Sequence, residues 1–151
     1  MSAEKKSSQP IPGFKIIEKL GQGGMGSVYR AIQTSLEREV ALKVMPMKLA
    51  SNPEFRERFF REARAAGRLN HPNIVQGIDA GEAGQYCWIA MELVTGGTVA
   101  QRLRREGRLP EKDALSIIIQ IAKAIAHAGE AGIIHRDIKP ENFLISAEGT
   151  V

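Results

Sequence analysis

Apolar residues in the first two thirds of the chain fall into short runs separated by glycine, proline and polar turns. Runs of this length are typical of strands with at least one buried face. Five segments are therefore predicted as strands: 14–20, 28–32, 40–45, 75–80 and 86–93. A glycine-containing turn at 81–84 separates the last two. Two further apolar runs, 132–134 and 143–145, are expected to form brief buried strands.

A helical pattern follows the third strand. Asn52 is a suitable N-cap and Pro53 suits the first helical position. The helix should end near His71, because the residue before a proline avoids helical backbone angles. One face of this helix is apolar except for a carboxylate at its centre; its members are Phe55, Phe59, Glu62, Ala66 and Leu69.

Two charges stand in apolar surroundings and are expected to meet. Lys43 is the only charged residue in the strand 40–45, and Glu62 lies within the apolar stripe of the helix. A buried carboxylate is costly unless a cation lies beside it, and the helix offers none on that face. We therefore predict a Lys43–Glu62 ion pair. The alternative is that each side chain reaches solvent separately.

Helical signals dominate the rest of the chain. A short basic helix is predicted at 99–106, after a break at Gly96 and Gly97. Another helix begins at Pro110, with acidic residues in its first turn that suit the helix dipole. Between 115 and 128 this helix is apolar on nearly every side, and a helix of that kind is expected to be surrounded by protein.

Composition is that of an ordinary globular protein, with 43% apolar and 25% charged residues among 151. Cys87 is the only cysteine, which excludes a disulfide framework and a cysteine metal site. No apolar run approaches the roughly 20 residues that span a membrane. Residues 1–12 are polar and are predicted to form a disordered lead-in without the apolar core of a signal peptide. A cytoplasmic location is the default expectation.

The net charge of +4 comes mainly from two basic segments, 48–68 and 102–108. Such segments can attract nucleic acid or an acidic partner, but a solvated helix face explains them more often. We therefore expect no nucleic-acid partner.

A glycine-rich run, Gly-Gln-Gly-Gly-Met-Gly-Ser-Val, occupies 21–28 and has several interpretations. A Walker A loop would need lysine after the last glycine, where Ser27 stands. A dinucleotide-binding fold would need a helix next, whereas 28–32 alternates as a strand does. The remaining interpretations are a glycine-rich hairpin that lies over phosphates and a plain flexible hairpin.

Between the two brief strands lies the run His-Arg-Asp-Ile-Lys-Pro-Glu-Asn, residues 135–142. An acid, a base and an amide in a loop held at both ends can position a catalyst. The His-Arg-Asp portion alone would equally suit a surface ion-pair turn. The full run is far more specific, and it resembles the catalytic loop of protein kinases, with Lys-Pro-Glu-Asn typical of the serine/threonine branch.

Four motifs occur in the order found in bacterial-type serine/threonine protein kinases: the glycine-rich run, the strand with Lys43, the helix with Glu62 and the run 135–142. The resemblance covers 14–151. It implies an α+β, two-lobed fold. Residues 13–95 would form the ATP-binding small lobe, with a five-stranded antiparallel sheet and one large helix. Residues 96–151 would begin the helical lobe and include its first helices and the catalytic loop. The implied activity is transfer of the ATP γ-phosphate to serine or threonine hydroxyls of a protein substrate, with Mg²⁺.

The resemblance also implies the site residues. Asp137 would accept the proton of the substrate hydroxyl, Lys139 would steady the γ-phosphate and Asn142 would hold a magnesium ion. His135 and Arg136 would be structural. The implied ATP-binding residues are Gly21, Gly23, Gly24, Gly26, Val28, Ala41, Lys43, Glu62, Met91, Glu92, Val94 and Leu144. Among them, Met91 would be the gatekeeper, and the backbone of Glu92 and Val94 would bind the adenine.

The family's Asp-Phe-Gly motif, which holds the principal magnesium ion, would follow after Val151. The sequence is therefore expected to be part of a kinase domain and to be inactive alone, and any sensor or membrane anchor would lie beyond it. Two smaller departures are Phe143, where an aliphatic residue is commoner, and Thr95-Gly96, where an acid often meets the ribose. The alternative hypothesis is a non-catalytic nucleotide-binding or regulatory partner.

Overall fold

The computed structural model describes residues 11–151, which form two compact units. The first, here called the sheet unit, contains Ile78–Leu93 and the described part of residues 1–63. The second, the helical unit, contains Arg64–Gly77 and Val94–Val151. The expected α+β fold is confirmed, because a five-stranded sheet is followed in the chain by helices.

The sheet has the strand order β1-β2-β3-β5-β4. Its strands and the bounds of each are β1 Phe14–Gly23, β2 Gly26–Gln33, β3 Arg38–Pro46, β4 Gly77–Ala83 and β5 Tyr86–Met91. The pairs β1–β2, β2–β3 and β3–β5 are antiparallel. Irregularities in the β1–β2 register lie between Ile16 and Glu18 and between Lys19 and Gly21. Each of the five predicted strands is present, and β1 and β2 extend farther into the glycine run than predicted.

Two helices lie between β3 and β4: α1, Met47–Ala50, and α2, Pro53–Arg68. The predicted N-cap is confirmed, because the Glu54 amide donates a 2.9 Å hydrogen bond to Asn52 Oδ1. This bond satisfies one of the amides that the first turn of any helix leaves unpaired. Phe59 is the buried residue of α2 and carries its apolar face into the sheet unit.

Two apolar clusters make up the core of the sheet unit. One contains Phe14, Ala31, Val40, Leu42, Val44 and Ala90, together with Ile11. The other contains Met45, Ala50, Phe59, Cys87 and Ile89. Ile11 is fully buried, so the predicted lead-in of residues 1–12 is too long at its end; residues 1–10 lie outside the described part of the chain.

The helical unit contains α3, Val99–Glu106, α4, Glu111–Glu130, and a 3-10 helix at Pro140–Asn142. Helix α3 begins with a reciprocal capping box between Thr98 and Gln101. Arg102 on α3 pairs with Glu106 at 3.0 Å and with Asp113 at 2.5 Å, and Arg105 pairs with Glu106 at 3.2 Å, so two arginines of the predicted basic helix form ion pairs within the chain. Val99, Ile117 and Ile121 form the apolar cluster of this unit.

Polar groups connect the loop after α2 to α4 within the helical unit. Asn73 Nδ2 donates to Gln120 Oε1 at 3.0 Å and to the carbonyl oxygen of Val151 at 2.7 Å. The amide of Val151 donates in turn to Gln120 Oε1 at 2.9 Å. These bonds hold the loop against the helix, and the rings of His71 and His127 lie 5.1 Å apart in the same contact.

Strand β4 and its turn differ from the prediction. The strand runs to Ala83, and the turn is Gly84-Gln85 rather than 81–84. A Cβ at Gly81 would lie 2.9 Å from the Trp88 ring, so this glycine makes room for tryptophan within the sheet. Gly84 has a φ of +55°, which suits a tight turn. Sequence alone does not distinguish these two uses of glycine.

The brief strand predicted at 132–134 is absent, and the prediction was wrong there. Ile134 is 74% exposed, and the segment has no ladder partner among the described residues. At 143–145 only Leu144 forms a bridge, with Thr98.

Helix α4 also differs from expectation: Ile117 and Ile121 are buried, but other apolar side chains of the helix are 44–61% exposed. These are Leu115, Ile118, Ile119 and Ile125.

A membrane-spanning helix was not found: among residues 11–151, no helix combines sufficient length with sufficient apolar character.

Candidate functional site

The glycine run is a β-hairpin whose two strands continue into it. Gly21 pairs with Val28, Gln22 with Ser27 and Gly23 with Gly26, which leaves Gly24 and Met25 as the turn. Because a strand follows the turn directly, the dinucleotide-binding interpretation is excluded.

The glycines of this hairpin differ in whether the surrounding atoms leave room for a side chain. Gly26 has a φ of +142°, and a Cβ there would overlap the carbonyl oxygen of Val44. At Gly21, Gly23 and Gly24 a Cβ would meet no atom within 4 Å, and all three residues are exposed. Gly26 is therefore required by the packing of β2 on β3. The other three leave the backbone open to close approach by a ligand.

The predicted ion pair between strand and helix is present. Lys43 Nζ lies 2.8 Å from Glu62 Oε1 and 3.0 Å from Oε2. The Lys43 side chain is 18% exposed and that of Glu62 46%, so the lysine is the more enclosed partner. Burial of the carboxylate, from which the pair was predicted, is therefore weaker than expected. The ring of Phe59 lies 5.9 Å from Lys43 Nζ, a cation–π contact that the sequence argument missed, although Phe59 stands one helical turn before Glu62.

Strand register places four of the predicted nucleotide-binding residues on one face of the sheet. Val28 is directly opposite Lys43, and Ala41 is directly opposite Met91. Ala41 and Lys43 are two residues apart on β3 and so point to the same side. Neighbouring pairs on one face form a continuous surface, and here three apolar residues surround Lys43, with Arg30, opposite Ala41, on the same face. Glu92 follows β5 directly and is exposed.

In the helical unit, a compact polar cluster surrounds Asp137. Asn142 Nδ2 donates to Asp137 Oδ2 at 3.0 Å and to its carbonyl oxygen at 2.8 Å. Lys139 Nζ lies 3.0 Å from the same Oδ2. The Asp137 amide donates to His135 Nδ1 at 3.2 Å. Asp137, Lys139 and Asn142, predicted as catalytic residues, thus lie together, and His135 supports the loop.

The electrostatics of this cluster favour the anion. The hydrogen bond from Lys139 lowers the pKa of the Asp137 carboxyl below its ordinary value, and the bond from Asn142 lowers this pKa further. Asp137 is therefore ionised throughout the neutral range. The side chain is 60% exposed, so a substrate hydroxyl has access to it.

The backbone around this loop is tightly constrained. Arg136 has a φ of +67°, an uncommon value for a non-glycine residue, directly before Asp137. After the 3-10 helix, the amide of Val99 donates to the carbonyl of Phe143 at 2.8 Å, and that of Ile145 to the carbonyl of Gly97 at 2.8 Å. A Cβ at Gly96 would overlap the carbonyl oxygen of Ile145. The glycine pair 96–97 therefore permits the approach that anchors the loop and Leu144. Val94, predicted to bind adenine through its backbone, is partly buried and lies before this anchor.

The donor chemistry at Asn142 is compatible with magnesium. Its amide nitrogen is engaged with Asp137, which leaves Oδ1 as an oxygen ligand. Magnesium prefers oxygen ligands, and protein sites often supply only one or two of them beside phosphate and water. No group of three or more histidine, cysteine, aspartate or glutamate side chains that could hold a metal was found in the described part of the chain.

The sheet unit carries a hairpin with open glycines and a lysine–glutamate pair, and the helical unit carries an Asp-Lys-Asn loop; each of these features is typical of phosphoryl-transfer proteins. The chain belongs to the protein kinase domain family, which it matches over residues 14–151.

Curated relatives include three bacterial kinases. The chain is 44% identical to the serine/threonine-protein kinase PknE of Mycobacterium tuberculosis (strain ATCC 25618 / H37Rv) over 147 residues, covering 97% of this chain and 26% of the relative. It is 45% identical to PrkC of Bacillus subtilis (strain 168) over 138 residues, which make up 91% of this chain and 21% of PrkC. It is 42% identical to PknJ of M. tuberculosis over 146 residues, which make up 97% of this chain and 25% of PknJ. The chain thus spans about a quarter of their length.

Proposed function

We propose that the protein carrying this chain is a serine/threonine protein kinase that transfers the ATP γ-phosphate to hydroxyl groups of protein substrates. The observation that carries the proposal is the hydrogen-bonded cluster of Asp137, Lys139 and Asn142 on a constrained loop. It combines an ionised carboxylate, a cation and an amide oxygen within one loop. The names of the relatives support the same activity.

In this proposal Asp137 orients the substrate hydroxyl and accepts its proton as the oxygen attacks. A carboxylate whose pKa is lowered is a weak base at neutral pH, so its main contribution is orientation, with proton acceptance late in the reaction. Lys139 places positive charge where the transferred phosphoryl group carries negative charge. Asn142 Oδ1 would hold Mg²⁺, which supplies charge neutralisation of the phosphates when it is bound.

The sheet unit would bind the nucleotide. The exposed glycines at 21, 23 and 24 would let backbone amides approach the phosphates, and Gly26 packs the strand beside the turn against β3. Lys43, held by Glu62, would bind the α- and β-phosphates. The apolar surface of Val28, Ala41 and Met91 would contact the adenine, with Leu144 as a further apolar partner and the backbone of Glu92 and Val94 as hydrogen-bonding groups. Residues 13–95 and 96–151 are proposed as the corresponding small lobe and the start of the large lobe.

The test is transfer of labelled phosphate from ATP to a protein substrate by the full-length protein. Asp137→Asn should lower the turnover rate by about 10²-fold or more, because the hydroxyl loses its acceptor, while nucleotide affinity stays within about twofold. Glu148→Gln removes an exposed carboxylate of the same unit and serves as the control. Undiminished transfer by Asp137→Asn would contradict the role given to Asp137. Nucleotide binding without any transfer by the wild-type protein would favour the alternative, a non-catalytic nucleotide-binding partner.

A further inference from the structure

The sulfur-containing side chains of the described residues gather at one place in the sheet unit. Met45 and Cys87 are fully buried members of the cluster that includes Phe59. The three remaining methionines, Met25, Met47 and Met91, are partly buried and pack against this same cluster. Thioethers are polarisable and pack favourably against aromatic rings, so the cluster is stable while the sulfurs are reduced.

Met25 differs from the other methionines in its position. It belongs to the two-residue turn of the glycine hairpin, and its turn partner, Gly24, has no side chain. The backbone from Gly21 to Gly24 is exposed, whereas Met25 is partly buried. Met25 therefore supplies the side-chain contact between the turn and the core of the sheet unit, next to the backbone packing of Gly26 on Val44. Met47 and Met91 lie in regular elements, α1 and β5, whose backbone bonds hold them in place.

We propose that Met25 is an oxidation site at which a peroxide releases the tip of the glycine hairpin. The Met25 Sδ attacks the O–O bond of hydrogen peroxide and gains one oxygen, forming the sulfoxide. The other oxygen leaves as water once it is protonated, so sulfur loses two electrons and the peroxide gains them. A sulfoxide is polar and chiral, and its place in an apolar cluster becomes unfavourable.

Accessibility favours Met25 over the two fully buried sulfurs of the cluster. Met45 is 0% exposed, and peroxide cannot reach its sulfur without local opening. Cys87 is equally buried, and burial raises the pKa of its thiol, so little of the reactive thiolate is present. Met25 is partly buried at the end of a hairpin, so peroxide can reach its sulfur. Its oxidation would also weaken the contact between the turn and the core.

Release of the tip would weaken nucleotide binding, and this consequence rests on the proposed function of the hairpin. A hairpin that no longer lies on the core would lose the fixed backbone positions from which its amides approach phosphates. Methionine sulfoxide reductases reverse the modification, so the effect would be a reversible response to peroxide.

The experiment is a peroxide titration of the purified full-length protein. Peptide mass spectrometry should show Met25 sulfoxide forming about tenfold faster than Met45 sulfoxide, as expected from their accessibility. Hydrogen exchange of residues 21–28 should rise as Met25 sulfoxide accumulates and return after treatment with methionine sulfoxide reductase. Affinity for a fluorescent ATP analogue should fall several-fold, about fivefold or more, over the same titration.

Matched variants separate Met25 from the rest of the cluster. Met25→Leu keeps an apolar side chain without sulfur, so exchange at 21–28 should no longer respond to peroxide. Met47→Leu removes another partly buried sulfur of the same cluster and should leave the response intact. Met25→Gln imitates the polarity of the sulfoxide and should raise exchange at 21–28 without peroxide.

Three results would overturn the inference. They are Met25 that oxidises no faster than Met45, Met25 sulfoxide that forms without any rise in exchange at 21–28, and a full response to peroxide in Met25→Leu. If exchange behaves as expected while the reduced protein binds no ATP analogue, the oxidation site stands and the proposed function of the hairpin fails. Hydrogen exchange thus decides the inference, and nucleotide binding decides the function.

Discussion

Asp137 illustrates how neighbours determine what one carboxylate can do. Lys139 and Asn142 both bind its Oδ2, and the pKa of the carboxyl falls as a result. Because the group is exposed, its contribution to folding stability is screened by water. The same bonds aim the carboxylate, as the proposed role of Asp137 in orienting a substrate hydroxyl requires.

The first residue-scale prediction concerns the pKa of Asp137. Lys139→Met removes the largest cause of the lowering, so the pKa should rise toward 3.8, and Asn142→Ala should have a smaller effect. Because the folded-state pKa is lowered, the stabilisation is present above the unfolded-state pKa and is lost as pH falls through the folded-state value. Carbon-13 NMR titration of the carboxyl measures the shift, with Lys123→Met as the control. An unchanged midpoint in Lys139→Met would refute the assigned cause.

The second residue-scale prediction concerns Glu62. Glu62→Gln should change the free energy of unfolding by no more than about 1 kcal/mol, because the carboxylate is half exposed. It should nevertheless weaken ATP binding or turnover by about tenfold or more, since Lys43 loses its orienting partner. Chemical denaturation and nucleotide titration provide the two readouts. Arg61→Gln, the adjacent exposed position of α2, should affect neither, and a large loss of stability in Glu62→Gln would mean that the pair is mainly structural.

At the scale of the helices and strands, a feature could be predicted from the sequence when it depends on residues close together in the chain. The Asn52 N-cap and the five strands follow from local patterns, and the Lys43–Glu62 pair follows from two charges in apolar stretches. The β4 turn was misplaced because Gly81 serves a packing need of Trp88, a residue several positions away. Likewise, 132–134 has the composition of a strand but no partner among the described residues, and a strand requires one.

The element-scale prediction compares two glycines of one hairpin. Gly26→Ala forces a side chain into left-handed backbone geometry and against the Val44 carbonyl, so we expect a loss of roughly 1–3 kcal/mol in stability. Gly23→Ala meets no atom and should change stability by less than about 0.5 kcal/mol. Under the proposed function it should still weaken nucleotide binding, because an added methyl group hinders close approach of the backbone to the phosphates. Urea unfolding and ATP titration of both variants test this, and equal destabilisation by the two would contradict it.

At the scale of the whole molecule, sequence and structure identify a protein kinase domain whose described residues fall into a sheet unit and a helical unit. The Asp137 loop was predictable because its motif is dense in chemical groups within a few positions. The burial of Ile11 and the contact of Met25 with the core could not be predicted from the sequence, since both depend on packing between segments distant in the chain. The apolar side chains exposed on α4 likewise follow from what packs beside the helix, which its own sequence does not specify.

The central claim is best tested by identifying the acceptor residue of the phosphate. The full-length protein, with Mg²⁺ and ATP, should place phosphate on serine or threonine of a protein substrate, as determined by mass spectrometry of the product. Lys43→Met should lower the efficiency of that transfer by about 10²-fold, because the α- and β-phosphates lose their cation. A wild-type protein that binds Mg²⁺ and ATP but leaves every serine and threonine unmodified would contradict the claim.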